Sequence, residues 1–325
     1  MKDKTVMLED AIMVKGLPCT AGTKMLENFT APFDACVVEK LKNAGFKIGG
    51  QCAELKFGVE DVSEKQKPYP DVRAIREKSR YALYNDVWGT VKYQAAHNGF
   101  LYLQPSYGRV SRYGLIPCVS SMDQIGIFAQ KSEDAFKLLE VIAGYDERDG
   151  MSLKDSEYRV ADKKRNIKIG KIERLPNAFH LAYDILAAAE FANNISRYDG
   201  VTFGYRAGNY KNVNDLYVKS RTEALGFAAK YEAILGNIVL SDGYYEKYYD
   251  NAMRIRRLTK NALDEAFKKY DVLEIFPAIG MEYLTLSPLT GHPSLTFSKN
   301  RVKAVALAKH MDEDALYAYA REVIG

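Results

Sequence analysis

The chain has 325 residues, 47% of them apolar and 27% charged, a globular composition that can bury a sizeable core as one large domain or two modest ones. Its 46 basic and 42 acidic residues leave a net charge of +4, too small for the cationic field of a chain that binds nucleic acid directly. The charged start, Met1-Lys2-Asp3-Lys4-Thr5, argues against a signal peptide, and no apolar run approaches membrane-spanning length, so a cytoplasmic protein with no membrane contact is expected. Cys19, Cys36, Cys52 and Cys118 lie far apart without a CxxC pair, and His97, His180, His292 and His310 are equally scattered. Neither a disulfide scaffold, a metal site nor a bound cofactor is expected.

In chain order, Ala11-Ile12-Met13-Val14 reads as a short buried strand that delivers Lys15 at its tip. Such a lysine is either a surface residue or a general base with its charge disfavoured by burial. Residues 34–45 carry Val37, Val38, Leu41 and Ala44 at helical spacing with a glycine stop, an amphipathic helix capped near Asp34. Phe46-Lys47-Ile48 then returns as a strand. Residues 62–70 (VSEKQKPYP) mix charge with two prolines and suit a solvated segment, followed by an exposed helix over 71–83. Asn85 to Lys92 (NDVWGTVK) carries the chain's single tryptophan, Trp88, followed by Gly89 and Thr90.

Further on, a helix opens at Lys131-Ser132-Glu133-Asp134 and stops at Gly144, with Phe136, Leu138, Leu139, Val141 and Ile142 on its apolar face. Residues 167–170 form a strand, 176–193 an alanine-rich helix, 245–270 an amphipathic helix and 271–276 a strand. Tyrosine is unusually frequent, at 23 residues, and clusters at Tyr244, Tyr245, Tyr248 and Tyr249, as expected of rings packed on a helix with the hydroxyl in water.

The stretch over 104–126 (QPSYGRVSRYGLIPCVSSMDQIG) has two glycine turns, Tyr107-Gly108-Arg109 and Arg112-Tyr113-Gly114, before an apolar run and Ser120-Ser121-Met122-Asp123. Its glycines mark bends or close backbone approaches, and its arginines are natural partners for carboxylates. Taken alone it reads equally as a turn-rich connector between core elements. With Lys24-Met25-Leu26-Glu27-Asn28-Phe29, Asp146-Glu147-Arg148-Asp149 and Lys309-His310-Met311-Asp312-Glu313, it resembles the amidase signature family, in the version carried by the A subunit of glutamyl-tRNA(Gln) amidotransferases.

That resemblance implies an α/β fold with a mixed central β-sheet covered by helices on both faces, in a single shortened domain over 1–325. It places Lys15 at the family's catalytic lysine and Thr90 at its serine nucleophile. Val87, Trp88 and Gly89 fall in the oxyanion loop, and Arg221 falls at the arginine that grips the glutamine α-carboxylate. As a residue of this chain alone, Arg221 reads equally well as an exposed helix arginine. Divergence is heaviest over 59–80, which stands where the family has a GGSSGGS-type loop with the relay serine; Ser63 is the only nearby hydroxyl of that type. Trp88 replaces a glycine, where bulk and a left-handed backbone would both cost. No aspartate between Asp271 and Asp312 answers to the one that holds the substrate amino group, and Glu274 and Glu282 are the only acids there.

These losses lead to the expectation of a degenerate homologue without glutamine amidohydrolase activity, retained for binding or complex formation. Two alternatives stand beside it. One is an active hydrolase that uses a Lys15–Thr90 pair on a different amide or ester. The other is an A-type subunit that still works with a B-type partner in tRNA-dependent amidation. A B-type subunit or self-association are the expected partners.

Overall fold

The structure is a computed structural model that describes residues 4–52, 79–161, 165–172, 175–276 and 282–324, with positions 72, 75 and 77 between them. Its centre is the strand β3 (Tyr81–Asn85), all five residues of which are buried. Such a strand must be covered on both faces, and alternate side chains enter two separate cores. Tyr81 and Leu83 join the larger cluster, and Ala82 and Tyr84 the smaller. The neighbouring strands β4 (Leu101–Gln104) and β5 (Ile125–Ala129) divide in the same way: Leu103 and Ile127 point to one side, Tyr102 and Phe128 to the other.

Among the described residues, nine strands form one sheet in the order β2 (Lys47–Cys52), β1 (Thr5–Glu9), β3, β5, β4, β8 (Ser294–Lys299), β9 (Val302–Ala308), β7 (Val272–Ile275) and β6 (Ile169–Lys171). β1 lies parallel to both β2 and β3, whereas β5 runs antiparallel to β3. β8 and β9 form a long antiparallel pair, and β6 lies parallel to β7. The sheet is therefore mixed. α2 (Thr90–His97) contributes Val91 and Ala95 to the smaller core. α1 (Cys36–Asn43), α3 (Ser132–Ile142), α4 (Phe179–Ile195), the short α8 (Leu286–Thr290) and α9 (Glu313–Val323) supply the larger one on the opposite face.

Several elements differ from the sequence expectation. The strand expected over 11–14 falls earlier, at β1, because Val6, Met7 and Leu8 already find ladder partners there. Residue 12 forms only an isolated bridge to Leu115. Asp34 does not cap α1, whose N-cap is Ala35; its carboxylate accepts the Lys15 N–H and the Lys42 ammonium instead. The end of the exposed helix expected over 71–83 is β3, since its apolar residues complete the sheet. Most of 59–80 lies outside the described residues, as does Ser63. The helix expected over 245–270 begins as a π-helical turn, Tyr245–Tyr249, and continues as α7 (Asp250–Ala266).

The stretch 104–126 joins distant parts of the chain. Gly114 has φ +82°, and a Cβ there would lie 2.4 Å from the Ala35 Cα. Only glycine allows that approach. Arg109 is buried, with Nη2 2.9 Å from Glu313 Oε2 of α9, and it donates to the Glu157 and Met311 carbonyls. Arg112 grips Asp149 through Nε and Nη2 at 3.1 and 2.7 Å, the planar fork geometry that suits arginine to carboxylates.

Candidate functional site

β1 and β3 end side by side, and their tips set the geometry of the loop over residues 85–89. The last residue of β1 is Glu9, 1% exposed, and its Oε2 accepts the Asn85 backbone N–H at 2.6 Å. The Asn85 side chain donates to Asp123 at 2.8 Å and accepts the Gln124 N–H at 2.9 Å, which ties the loop to the 104–126 stretch. Asp123 also receives the Cys118 and Val119 N–H groups, and burial raises its carboxyl above the ordinary aspartate range.

Asp86 then starts α2. Its carboxylate accepts the N–H groups of Val91 and Lys92, at 3.2 and 2.8 Å, two of the donors a helix leaves open at its first turn. The Lys92 ammonium, wholly enclosed, lies 3.4 Å from the same carboxylate and donates to the Asp86 carbonyl at 2.8 Å. Burial lowers the Lys92 pKa, and the nearby Asp86 works against that shift.

Gly89 takes φ 83° at the start of α2, the left-handed conformation that glycine adopts without strain. Trp88 avoids that region, so the strain expected of a tryptophan at a glycine position does not arise. The Val87 carbonyl accepts the Tyr183 hydroxyl of α4, and the Trp88 ring meets the Tyr183 ring edge-on at 6.0 Å. Its buried indole N–H has no acceptor among the described residues. Thr90 is buried at the first position of α2.

The other expected site residues lie apart from this loop. Lys15 is exposed, in the turn after β1, and its backbone N–H donates to Asp34 at 2.8 Å. It is not the residue at the tip of β1. Arg221 lies on α5 (Val213–Ala224), where its Nη1 donates to the Ile195 and Tyr198 carbonyls at 2.9 and 3.0 Å; the group thereby closes the end of α4. One turn before Tyr183, Phe179 and His180 line a cavity of about 740 Å³ together with Lys171, Glu274, Glu282 and Tyr283. Glu274 is engaged there by Lys299 and the Tyr319 hydroxyl, at 2.9 and 2.5 Å.

Glu9, Asp86, Lys92 and Tyr183 were not singled out from the sequence. The run Val6-Met7-Leu8 ending in an acid was the available signal for Glu9; the reach of Tyr183 to Val87 had none. Among the described residues no His/Cys/Asp/Glu group has the arrangement of a metal site, and no helix is long and apolar enough to cross a membrane.

The site thus sits in an α/β scaffold, at a glycine turn leading from a central strand of a mixed sheet into a buried threonine. The amidase family profile matches residues 5–64, 77–179 and 160–321, and the chain belongs to that family. It is 34% identical over 323 residues to the A subunit of the glutamyl-tRNA(Gln) amidotransferase of Wolinella succinogenes, covering 82% of this chain and 72% of that protein. Its fold superposes on the structure of the corresponding A subunit from Thermotoga maritima with a TM-score of 0.68 at 23% identity, over 98% of this chain and 82% of the other. A second structure, described as an unexpected vestigial protein complex that reveals the origins of an s-triazine catabolic enzyme, gives a TM-score of 0.79 at 17% identity, over 98% and 83% of the two chains.

Proposed function

We propose that this chain is a non-hydrolytic member of the amidase family, one shortened domain retained in the cytoplasm for binding or complex formation. The observation that supports this reading most is the residue at the tip of β1. The resemblance expects a lysine at a buried strand tip, and the fold puts Glu9 there, with its carboxylate bonded to Asn85. A hydroxyl nucleophile requires a base within hydrogen-bond reach, about 2.6–3.2 Å. Lys15, the alternative base, is at the surface beside Asp34, where its backbone N–H is bonded.

The rest of the loop fits a scaffold better than a catalyst. Val87 and Trp88 are held against Tyr183 where small residues would admit a substrate carbonyl. Complex formation is favoured by the relatives: the Wolinella protein is named as one subunit of an amidotransferase, and the structure with TM-score 0.79 was described as a complex. A B-type subunit is the first partner to test.

The experiment is turnover of glutamine and simple amides by the purified chain, with Thr90→Ala alongside. No Thr90-dependent hydrolysis is expected. Hydrolysis that disappears in Thr90→Ala would return the chain to the active hydrolases.

A further inference from the structure

The helix α6 (Phe227–Val239) is apolar on two opposite sides. Ala229, Ala233, Gly236 and Val239 form its buried side. This side is pressed so closely on α4 that a Cβ at Gly236 would stand 2.1 Å from the Ala188 carbonyl oxygen. The outward side carries Tyr231, Ile234 and Ile238, spaced by three and four residues and 57, 62 and 47% exposed. Val218 of α5 is 60% exposed as well, one turn before Thr222. A surface helix needs only one apolar stripe, and a second one facing water marks a surface that something covers.

Charge identifies the occupant. Between α6 and the last turn of α5 runs a groove of about 270 Å³, lined by Arg221, Leu225, Lys230, Ala233 and Ile234 among others, with no acid in its lining. Its two cations donate to carbonyl oxygens: Arg221 to Ile195 and Tyr198, and Lys230 to Thr222 at 2.8 Å. Carbonyls satisfy the donors without neutralising the charge. The acid of α6, Glu232, interacts with Asp184 of α4, away from the groove.

We propose that this groove and stripe receive an acidic amphipathic helix of a different polypeptide, its apolar residues at i, i+3 or i+4, and i+7 on Tyr231, Ile234 and Ile238, and its carboxylates toward Arg221 and Lys230. A second copy of this chain fits less well, because the same stripe would bring a second Lys230 and no carboxylate. The inference rests on the complex-forming half of the proposed function and is independent of the non-hydrolytic half.

The test uses the full chain and two fluorescein-labelled helical peptides of about 20 residues, one with a leucine stripe flanked by glutamates and a twin with lysine at every glutamate. Anisotropy should report binding of the acidic peptide at least about tenfold tighter than its twin. Ile234→Asp and Lys230→Glu should each weaken it about tenfold, and Ile234→Asp should do so with the melting temperature unchanged because that side chain reaches solvent. Equal binding of the two peptides, no binding of either, or a dimer in sedimentation that Ile234→Asp dissolves would overturn the proposal. None of these results depends on whether the chain hydrolyses amides.

Discussion

The Glu9 carboxylate accepts the Asn85 backbone N–H at 2.6 Å, and through this bond the tip of β1 fixes the loop that leads to Thr90. A buried N–H deprived of its acceptor costs about 1–3 kcal/mol. Glu9→Ala is therefore expected to lower the melting temperature, by about 2–4 °C for each kcal/mol lost. A melt in which Glu9→Ala matches the parent would contradict the role given to this bond.

Gly114 and Gly99 separate two costs that are usually mixed. Both have positive φ, +82° and +73°, but a Cβ at Gly114 meets the Ala35 backbone at 2.4 Å, whereas at Gly99 it meets nothing within 4 Å. Gly99→Ala should lose about 1–2 kcal/mol, the left-handed backbone alone. Gly114→Ala should lose clearly more, since α1 must also move away from the 104–126 stretch. Chemical denaturation of the two variants decides it, and equal losses would show that the close approach carries no weight.

Two groups whose pKa is shifted by desolvation pull stability in opposite directions with pH. Burial, helped by the nearby Asp184 charge, raises Glu232 from 4.5 to about 7. Its contribution is full below pH 4.5 and is lost as pH rises through about 7. Burial lowers His292 from 6.5 to about 4, although Asp264 lies 3.1 Å from its Nε2. Its contribution is full above pH 6.5 and is lost as pH falls through about 4. Glu232→Gln should thus stabilise at about pH 8 relative to its effect at about pH 4, and His292→Asn should cost more at about pH 7 than at about pH 4. Melts of both variants across this range should give difference curves of opposite slope.

The Trp88 indole N–H is buried without an acceptor among the described residues, while its ring packs on Tyr183. Trp88→Phe keeps an aromatic face and removes the orphaned donor. It should leave the melting temperature unchanged or slightly higher, because an unsatisfied buried donor carries a desolvation penalty. A marked loss of stability would point to an acceptor bound at this loop.

The scaffold was legible where local pattern and chemistry agree. The helical spacing of Val37, Val38 and Leu41 gave α1, the run into Gly144 gave α3, and the glycines and arginines of 104–126 gave a turn-rich joint whose ion pairs reach Asp149 and Glu313. Placement of the lysine failed for a physical reason. Val6-Met7-Leu8 and Ala11-Ile12-Met13-Val14 are equally apolar runs, and only pairing with β2 and β3 decides which becomes a strand. That choice puts Glu9 rather than Lys15 at the buried tip. The engagement of Arg221 by the end of α4 and the reach of Tyr183 to Val87 were also illegible, since both join residues with no common periodicity. At Trp88 the sequence implied a left-handed backbone, which the fold places one residue later, on Gly89, where it costs no strain.

The central claim, that Thr90 is not an activated nucleophile, is tested most directly by intact-protein mass spectrometry after incubation with a fluorophosphonate or an activated ester. No adduct on Thr90 is expected at concentrations that fully label an active amidase of the same family. A stoichiometric adduct mapped to Thr90, and absent from Thr90→Ala, would contradict it.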